Sequence, residues 1–222
     1  MKTVSSVVEN YIKSQPFLLN ALSQGIVNLT SLSRKMMEDL KSEFGKEVKQ
    51  GAVVMSLKRL TDDLDYRANH HILKVIKNIG EITVRSSLTD YTFEVSSTIL
   101  NKQAGLISEI NTFSNIFYTS SRGVNETNIV ISDSVTHLVE KHFAAEKMIQ
   151  KLSNLASITV KLPEENIVIP GIYYYIFQCL AWEGIIINEV ISTSNEFTIL
   201  VNDSQVDAAF KVIKNLKNAT YV

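Results

Sequence analysis

The sequence predicts an α+β chain in which a helical domain (residues 1–79) precedes two copies of one mixed unit (80–150 and 151–222). Three observations predict it. Up to about Asn78 the apolar residues recur at three- and four-residue spacing, the period of an amphipathic helix. After Gly80 the texture turns to short β-branched runs, "EITVRSS", "YTFEVSS", "IFYTSS", "TNIVIS", "ASITVKL", "IIINEVIS" and "EFTILV", alternating with helical stretches. Finally, "NETNIVISDSVTHLVEKHF" (125–143) and "NEFTILVNDSQVDAAFKVI" (195–213) align at a constant offset of 70, with Asn125/Asn195, Glu126/Glu196, Ile129/Ile199, Asp133/Asp203, Ser134/Ser204 and Lys141/Lys211 identical.

In the helical domain, Val4, Val7, Val8, Tyr11 and Ile12 share one face, and Pro16 suits the first turn of a second helix ending at Gly25. Asn28 or Thr30 caps a third, carrying Leu29, Leu32, Met36 and Leu40 and stopped by Gly45. A fourth runs from about Glu47 to Leu64, and a fifth covers Ala68 to Lys77. Each later unit reads strand, helix, strand, turn, strand, helix. "YTFEV" (91–95) and "SITVK" (157–161) take equivalent places, Asn195-Glu196 marks a hairpin, and Asp203 or Ser204 caps a last helix whose stripe is Val206, Ala209, Phe210, Ile213 and Leu216.

Composition narrows the class. The chain has 222 residues, 45% of them apolar, a formal charge of −1 and one cysteine, Cys179. A near-neutral chain has no general pull on nucleic acid or anionic lipid, and one thiol allows neither an internal disulfide nor a multi-thiolate metal site, which fits a cytoplasmic setting. The N-terminus does not read as a signal peptide. "IVIPGIYYYIFQCLAWEGIIINEVI" (167–191) is the single membrane-span candidate, but its uncharged run of about 17 residues falls short of the roughly 20 that a span needs. On a helix after Pro170-Gly171 it puts Ile172, Ile176 and Leu180 on one side, with Tyr175, Cys179 and Trp182 along one edge and Tyr173 and Phe177 along the other. That apolar arc is wider than one sheet face can bury, which predicts packing on a second surface.

The order β-α-β-β-α, with "IPG" opening the first helix, "GIIINEVIS" as the second strand and "NEFTILVNDSQVDAAFKVI" closing the unit, resembles the ACT domain, and most closely the paired ACT modules of aspartate kinases. The resemblance covers Glu81 to Leu216. In the first, degenerate unit "NKQAG" (101–105) stands where a Pro-Gly turn would be. The family implies ferredoxin-like βαββαβ modules without catalysis, often binding an amino acid and pairing into larger sheets. Carried over, its ligand turn is Ile169, Pro170, Gly171 and Ile172, where glycine and a helix N-terminus suit a carboxylate. Its strand start is Gly184, Ile185, Ile186 and Ile187. Ile186 departs from the Asn expected there, and Asn188, two residues on, is placed to substitute for it.

The helical domain loosely resembles a helix-turn-helix or winged-helix unit, with 12 Lys and Arg against 8 acids over residues 1–80. Arg34, Lys35, Lys49, Gln50 and Arg59 are its candidate nucleic-acid contacts and "GEITVRSSLTDYTFEV" a candidate wing, although the fourth helix offers few polar side chains to base edges. Phosphate-loop, nucleophile-elbow and HExxH patterns are missing, and nothing in the first 80 residues resembles a nucleotide-binding domain. His70/His71 and His137/His142 are poorly spaced for a shared metal, and Cys179 reads as a small hydrophobe. The expectation is a non-catalytic regulatory protein without cofactor or metal, sensing an amino acid and forming a homodimer through its ACT-like modules. A transcription regulator and a ligand-free structural adaptor are the alternatives.

Overall fold

The computed structural model describes residues 3–45, 47–67 and 69–218. They form two compact units, Met1–Lys74 and Val75–Ala219. The division falls inside the helix α5 (Asn69–Lys77), a few residues before Gly80.

In the first unit, α1 (Val4–Lys13) opens on a capping box: Thr3 Oγ1 accepts from the Ser6 amide and Ser6 Oγ from the Thr3 amide, both at 3.1 Å. α2 (Pro16–Ser23) starts on its proline. Asn28, not Thr30, caps α3 (Leu29–Phe44), accepting from the Ser31 amide at 3.0 Å, and Gly45 ends it in the left-handed conformation. α4 (Gln50–Arg67) packs against α1, α2 and α3. Val8, Ile12, Leu22, Met36, Leu40, Val53 and Leu57 fill the core between them.

The second unit contains one antiparallel sheet, β1 (Ile82–Glu94), β2 (Tyr118–Arg122), β3 (Glu126–Ser132), β4 (Met148–Lys161), β5 (Ile187–Ser192) and β6 (Glu196–Asn202), in the order β2-β3-β1-β4-β6-β5. Its helices are α6 (Ile99–Ile110), α7 (Thr136–His142), α8 (Ile172–Trp182) and α9 (Val206–Leu216). "EITVRSS" and "YTFEVSS" are one strand, β1, and the 150/151 boundary falls inside β4. Both long strands serve both modules. The first module uses Leu88–Glu94 of β1 with β2, β3 and the opening of β4, in the order β2-β3-β1-β4. The second uses Leu155–Lys161 of β4 with β6 and β5, and takes its fourth strand, Ile82–Arg85, from β1. Each module thus has the ferredoxin-like strand order, and neither is closed by its own repeat alone. Because both edges of β1 are paired, "GEITVRSSLTDYTFEV" is a central strand and not a wing.

The ladders correct the alignment of the first strands. Tyr91 pairs with Ile129 and Ile158 with Ile199. Since Ile129 and Ile199 are repeat equivalents, Tyr91 matches Ile158 and not Ser157. The offset for these strands is therefore 67, which also equates Leu88 with Leu155, Asp90 with Ser157 and Ser87 with Asn154. Ser87 and Asn154 are both left-handed, with φ of 60° and 59°, and each sits where the β1–β4 register slips.

These slips bend the sheet. Tyr91, Phe93, Ile129 and Ile131 pack on α6 and α7, while α9 covers β4 and β6. On the opposite face Leu88, Val130, Leu155 and Leu200 are almost wholly buried, with Phe117, Leu152 and Ile191 against them. A flat helix-free face would be wet; bulged strands turn the two halves toward one another and make a second core. The last helix is entered through a 3-10 turn, Asp203–Gln205, which Asn202 caps by accepting from the Ser204 amide at 3.0 Å, while α9 itself starts after Gln205 with no side-chain cap from Asp203 or Ser204.

Candidate functional site

The turn before α8 is built from the end of β4 and a loop pinned to the β5–β6 hairpin. Leu162 N–H donates to Asn195 O at 2.7 Å, and Asn166 Nδ2 donates to Pro163 O at 2.8 Å and Ser194 O at 2.9 Å. Ile169 is half-buried, Pro170 exposed and Ile172 buried. Gly171 stands at the N-cap with φ of 95°, and no side chain caps α8 there. The glycine tolerates this φ, and its missing side chain leaves the first-turn amides of the helix approachable.

At the other end of α8, Ile186 is 68% exposed, Ile187 is half-buried and Asn188 is exposed. Gln205 braces this segment: its Oε1 accepts from the Ile186 amide and its Nε2 donates to Gly184 O, both at 3.2 Å. Ile187 pairs with Val201 and Glu189 with Leu200, so Asn188 is the extra residue of a bulge and not a plain strand position two on from Ile186. Ser192 pairs with Phe197 beside the Gly171 turn, whereas Ile187 pairs with Val201 at the opposite end of the ladder. About 16 Å of strand lies between them. The turn and the strand start that the ACT resemblance joins are thus at opposite ends of one module, too far apart for one amino acid to touch both within it.

The matching turn of the first module is not "NKQAG". Residues 101–105 lie inside α6, where Ile99, Leu106 and Ile110 keep the helical stripe and Gly105 leaves room for the His142 ring, 3.1 Å from where a Cβ would stand. The turn is 95–98, and it is closed from within the chain: Glu146, just ahead of β4, accepts from Ser96 Oγ and Thr98 Oγ1, both at 2.6 Å. Those two donors hold its carboxyl below the usual range. Sequence reasoning missed this contact because the partners are about fifty residues apart.

The remaining candidates are scattered. Arg34 and Lys35 are exposed on α3 with Glu38 and Asp39 one turn on, and Lys49 is exposed ahead of α4. Gln50 folds back on Ser33 Oγ at 3.1 Å and Thr30 O at 3.4 Å, and Arg59 Nε donates to Met55 O at 3.5 Å. The His70 and His71 side chains fall outside the described residues; His142 meets Glu109 at 2.8 Å. Burial pushes the Cys179 thiol up, the reverse of what a nucleophile needs. Among the described residues no three His, Cys, Asp or Glu side chains group to hold a metal ion, and no helix is long and apolar enough to cross a membrane. An unforeseen cleft of about 240 Å³ opens between α1 and α3, lined by Val7, Asn10, Tyr11, Ser14, Asp39, Leu40 and Glu43.

No family model and no curated protein matches the sequence. Solved structures do match the fold, among them aspartate kinases and regulatory subunits of aspartate kinases. The aspartate kinase of Clostridium acetobutylicum, described as an allosteric enzyme, matches with a TM-score of 0.52 and 18% identity over 63% of this chain and 35% of that one. The ligand-free regulatory subunit of aspartate kinase from Thermus thermophilus matches at 0.50 and 10%, over 62% of this chain and 97% of that one. Aspartate kinase from Synechocystis gives 0.50 and 13%, over 65% and 28%. This chain's match spans about a third of the Clostridium enzyme, and at these identities the likeness is one of fold. The ACT resemblance read from the sequence holds at that level.

Proposed function

We propose that this chain is a non-catalytic regulatory protein whose second module takes the carboxylate of a small amino-acid ligand at the Gly171 turn. The observation that carries this reading is the contrast between the two turns. The first has its hydroxyls engaged by Glu146, whereas at the second Gly171 precedes a helix that no side chain caps. With Ile186–Asn188 at the far end of the module, the rest of the ligand is held by a neighbouring module and not by that strand start.

A second copy of the chain supplies that neighbour in this reading. Tyr173, Tyr174 and Trp182 leave much of α8 exposed, and β2 and β5 end the sheet with one side of each ladder open. Sedimentation of a monomer at every concentration would remove this part of the proposal.

Thermal-shift screening against the common amino acids tests the reading, because a ligand that binds only the folded chain raises its midpoint. The expected result is a shift by at least one amino acid that is lost in Gly171→Val. No shift with any of them, or one that survives the substitution, overturns it.

A further inference from the structure

The turns that open α6 and α8 are repeat equivalents, and the backbone bonds around them fix which residues correspond. Val95 N–H donates to Asn125 O at 2.8 Å, as Leu162 N–H does to Asn195 O at 2.7 Å. On the other side, Phe93 pairs with Met148, and its equivalent Val160 pairs with Ile82. Glu94 N–H donates to Lys147 O at 2.9 Å, as Lys161 N–H does to Glu81 O at 3.0 Å. Met148 and Lys147 therefore match Ile82 and Glu81, and one residue further back Glu146 matches Gly80. The two frames agree at these bonds, although the loop that follows is longer in the second module. Where the first module places a glutamate, the second has no side chain. A Cβ on Gly80 would stand 3.2 Å from Lys161 Cβ, so that position is crowded as well as bare.

The first turn grips the Glu146 carboxylate as it would a bound one. Ser96 Oγ donates to Oε2 and Thr98 Oγ1 to Oε1, each at 2.6 Å, so both oxygens are engaged. Each hydroxyl has a single proton, and a carboxylate, which only accepts, takes both. The Thr98 amide donates to Ser96 Oγ at 3.2 Å and helps to aim it. Thr98 is the N-cap of α6, where a threonine ordinarily accepts from the helix's own amides; here it makes no such bond and donates outward instead. The carboxylate thus lies at the positive end of a twelve-residue helix. The loop that carries it is itself held. Glu146 N–H donates to Phe143 O at 2.9 Å, Phe143 stacks on Phe93, and Lys147 pairs with Glu94.

We infer that the turn 95–98 is a carboxylate-binding site that the chain fills with its own Glu146, a tethered ligand, and that a free monocarboxylate enters it once that side chain is removed. The tether gives Glu146 an effective concentration that a free competitor does not match, so the first module is liganded from within. This inference concerns the first turn alone and stands whether or not an amino acid binds at Gly171.

Thermal midpoints of the full chain in sodium acetate, against sodium chloride at equal ionic strength and neutral pH, test it. Glu146→Ala is expected to lower the midpoint, and acetate to restore about half of the loss in a saturable way. The wild-type chain shows no comparable rise, and comparison with it subtracts any acetate taken at Gly171. Adding Ser96→Ala and Thr98→Val to Glu146→Ala abolishes the response. Should Glu146→Ala fold poorly, carbon-detected NMR follows the Glu146 carboxyl in the otherwise intact chain. It titrates below the ordinary glutamate range, and Ser96→Ala with Thr98→Val raises it towards that range. An acetate response in Glu146→Ala no greater than in the wild type, one that survives loss of both hydroxyls, or a carboxyl titration that ignores those two substitutions overturns the inference.

Discussion

Leu88 and Leu155 face each other across the β1–β4 ladder and occupy the same position in the two repeats, so the pseudo-twofold axis of the sheet unit passes between them. Both are nearly inaccessible and belong to the core on the face away from the helices. Leu88→Ala and Leu155→Ala are each expected to cost about 2–5 kcal/mol. The double variant should fall short of their sum because the two cavities merge. Urea denaturation measures all three, and strict additivity would mean that the side chains do not share one space.

Ser87 and Asn154 carry the left-handed backbone that makes the bend. Asn tolerates this conformation better than Ser, and a β-branched residue tolerates it least. Ser87→Val should lower stability by about 1–2 kcal/mol, while Ser87→Gly should be neutral or raise it by a few tenths. Equal effects of the two substitutions would show that the bend does not depend on this φ.

The Asp90 carboxyl has a pKa raised from 3.8 to about 6. A raised carboxyl pKa means that the folded chain holds more protons than the unfolded one between these values. The group's contribution is therefore most favourable below pH 4 and is lost as pH rises through about 6. Asp90→Asn should gain about 2 kcal/mol on the wild type between pH 4 and pH 7.5. Parallel urea midpoints for both chains across that range would contradict the assignment.

Thr127 is wholly buried on β3, and its hydroxyl has no hydrogen-bond partner. Thr127→Val keeps the shape and removes a desolvated polar atom, so it should raise stability by about 1 kcal/mol. A fall in the melting midpoint would show that the hydroxyl is satisfied.

Much of this architecture was legible along the chain. Helix starts and stops at Pro16, Asn28 and Gly45 are set by short-range backbone chemistry, and the offset of 70 announced the two units because repeated patterning is local information. The stripe Ile172, Ile176 and Leu180 was legible for the same reason and is buried. The candidate site was less so. The residues of the Gly171 turn could be named only through the ACT resemblance, and the distance from that turn to Ile186–Asn188, and the bulge at Asn188, follow from strand pairing.

What the sequence by itself determined was the class of each segment: five helices, then two β-rich repeats with a glycine turn ahead of the most apolar helix. Propensity, capping and periodicity act within a few residues and leave their mark in the order of the letters. Only the tertiary structure decided that β1 and β4 are shared between the modules and that Glu146 closes the turn at Ser96 and Thr98. Each of these joins residues about fifty or more positions apart through burial and ladder register, and no local pattern encodes such a meeting.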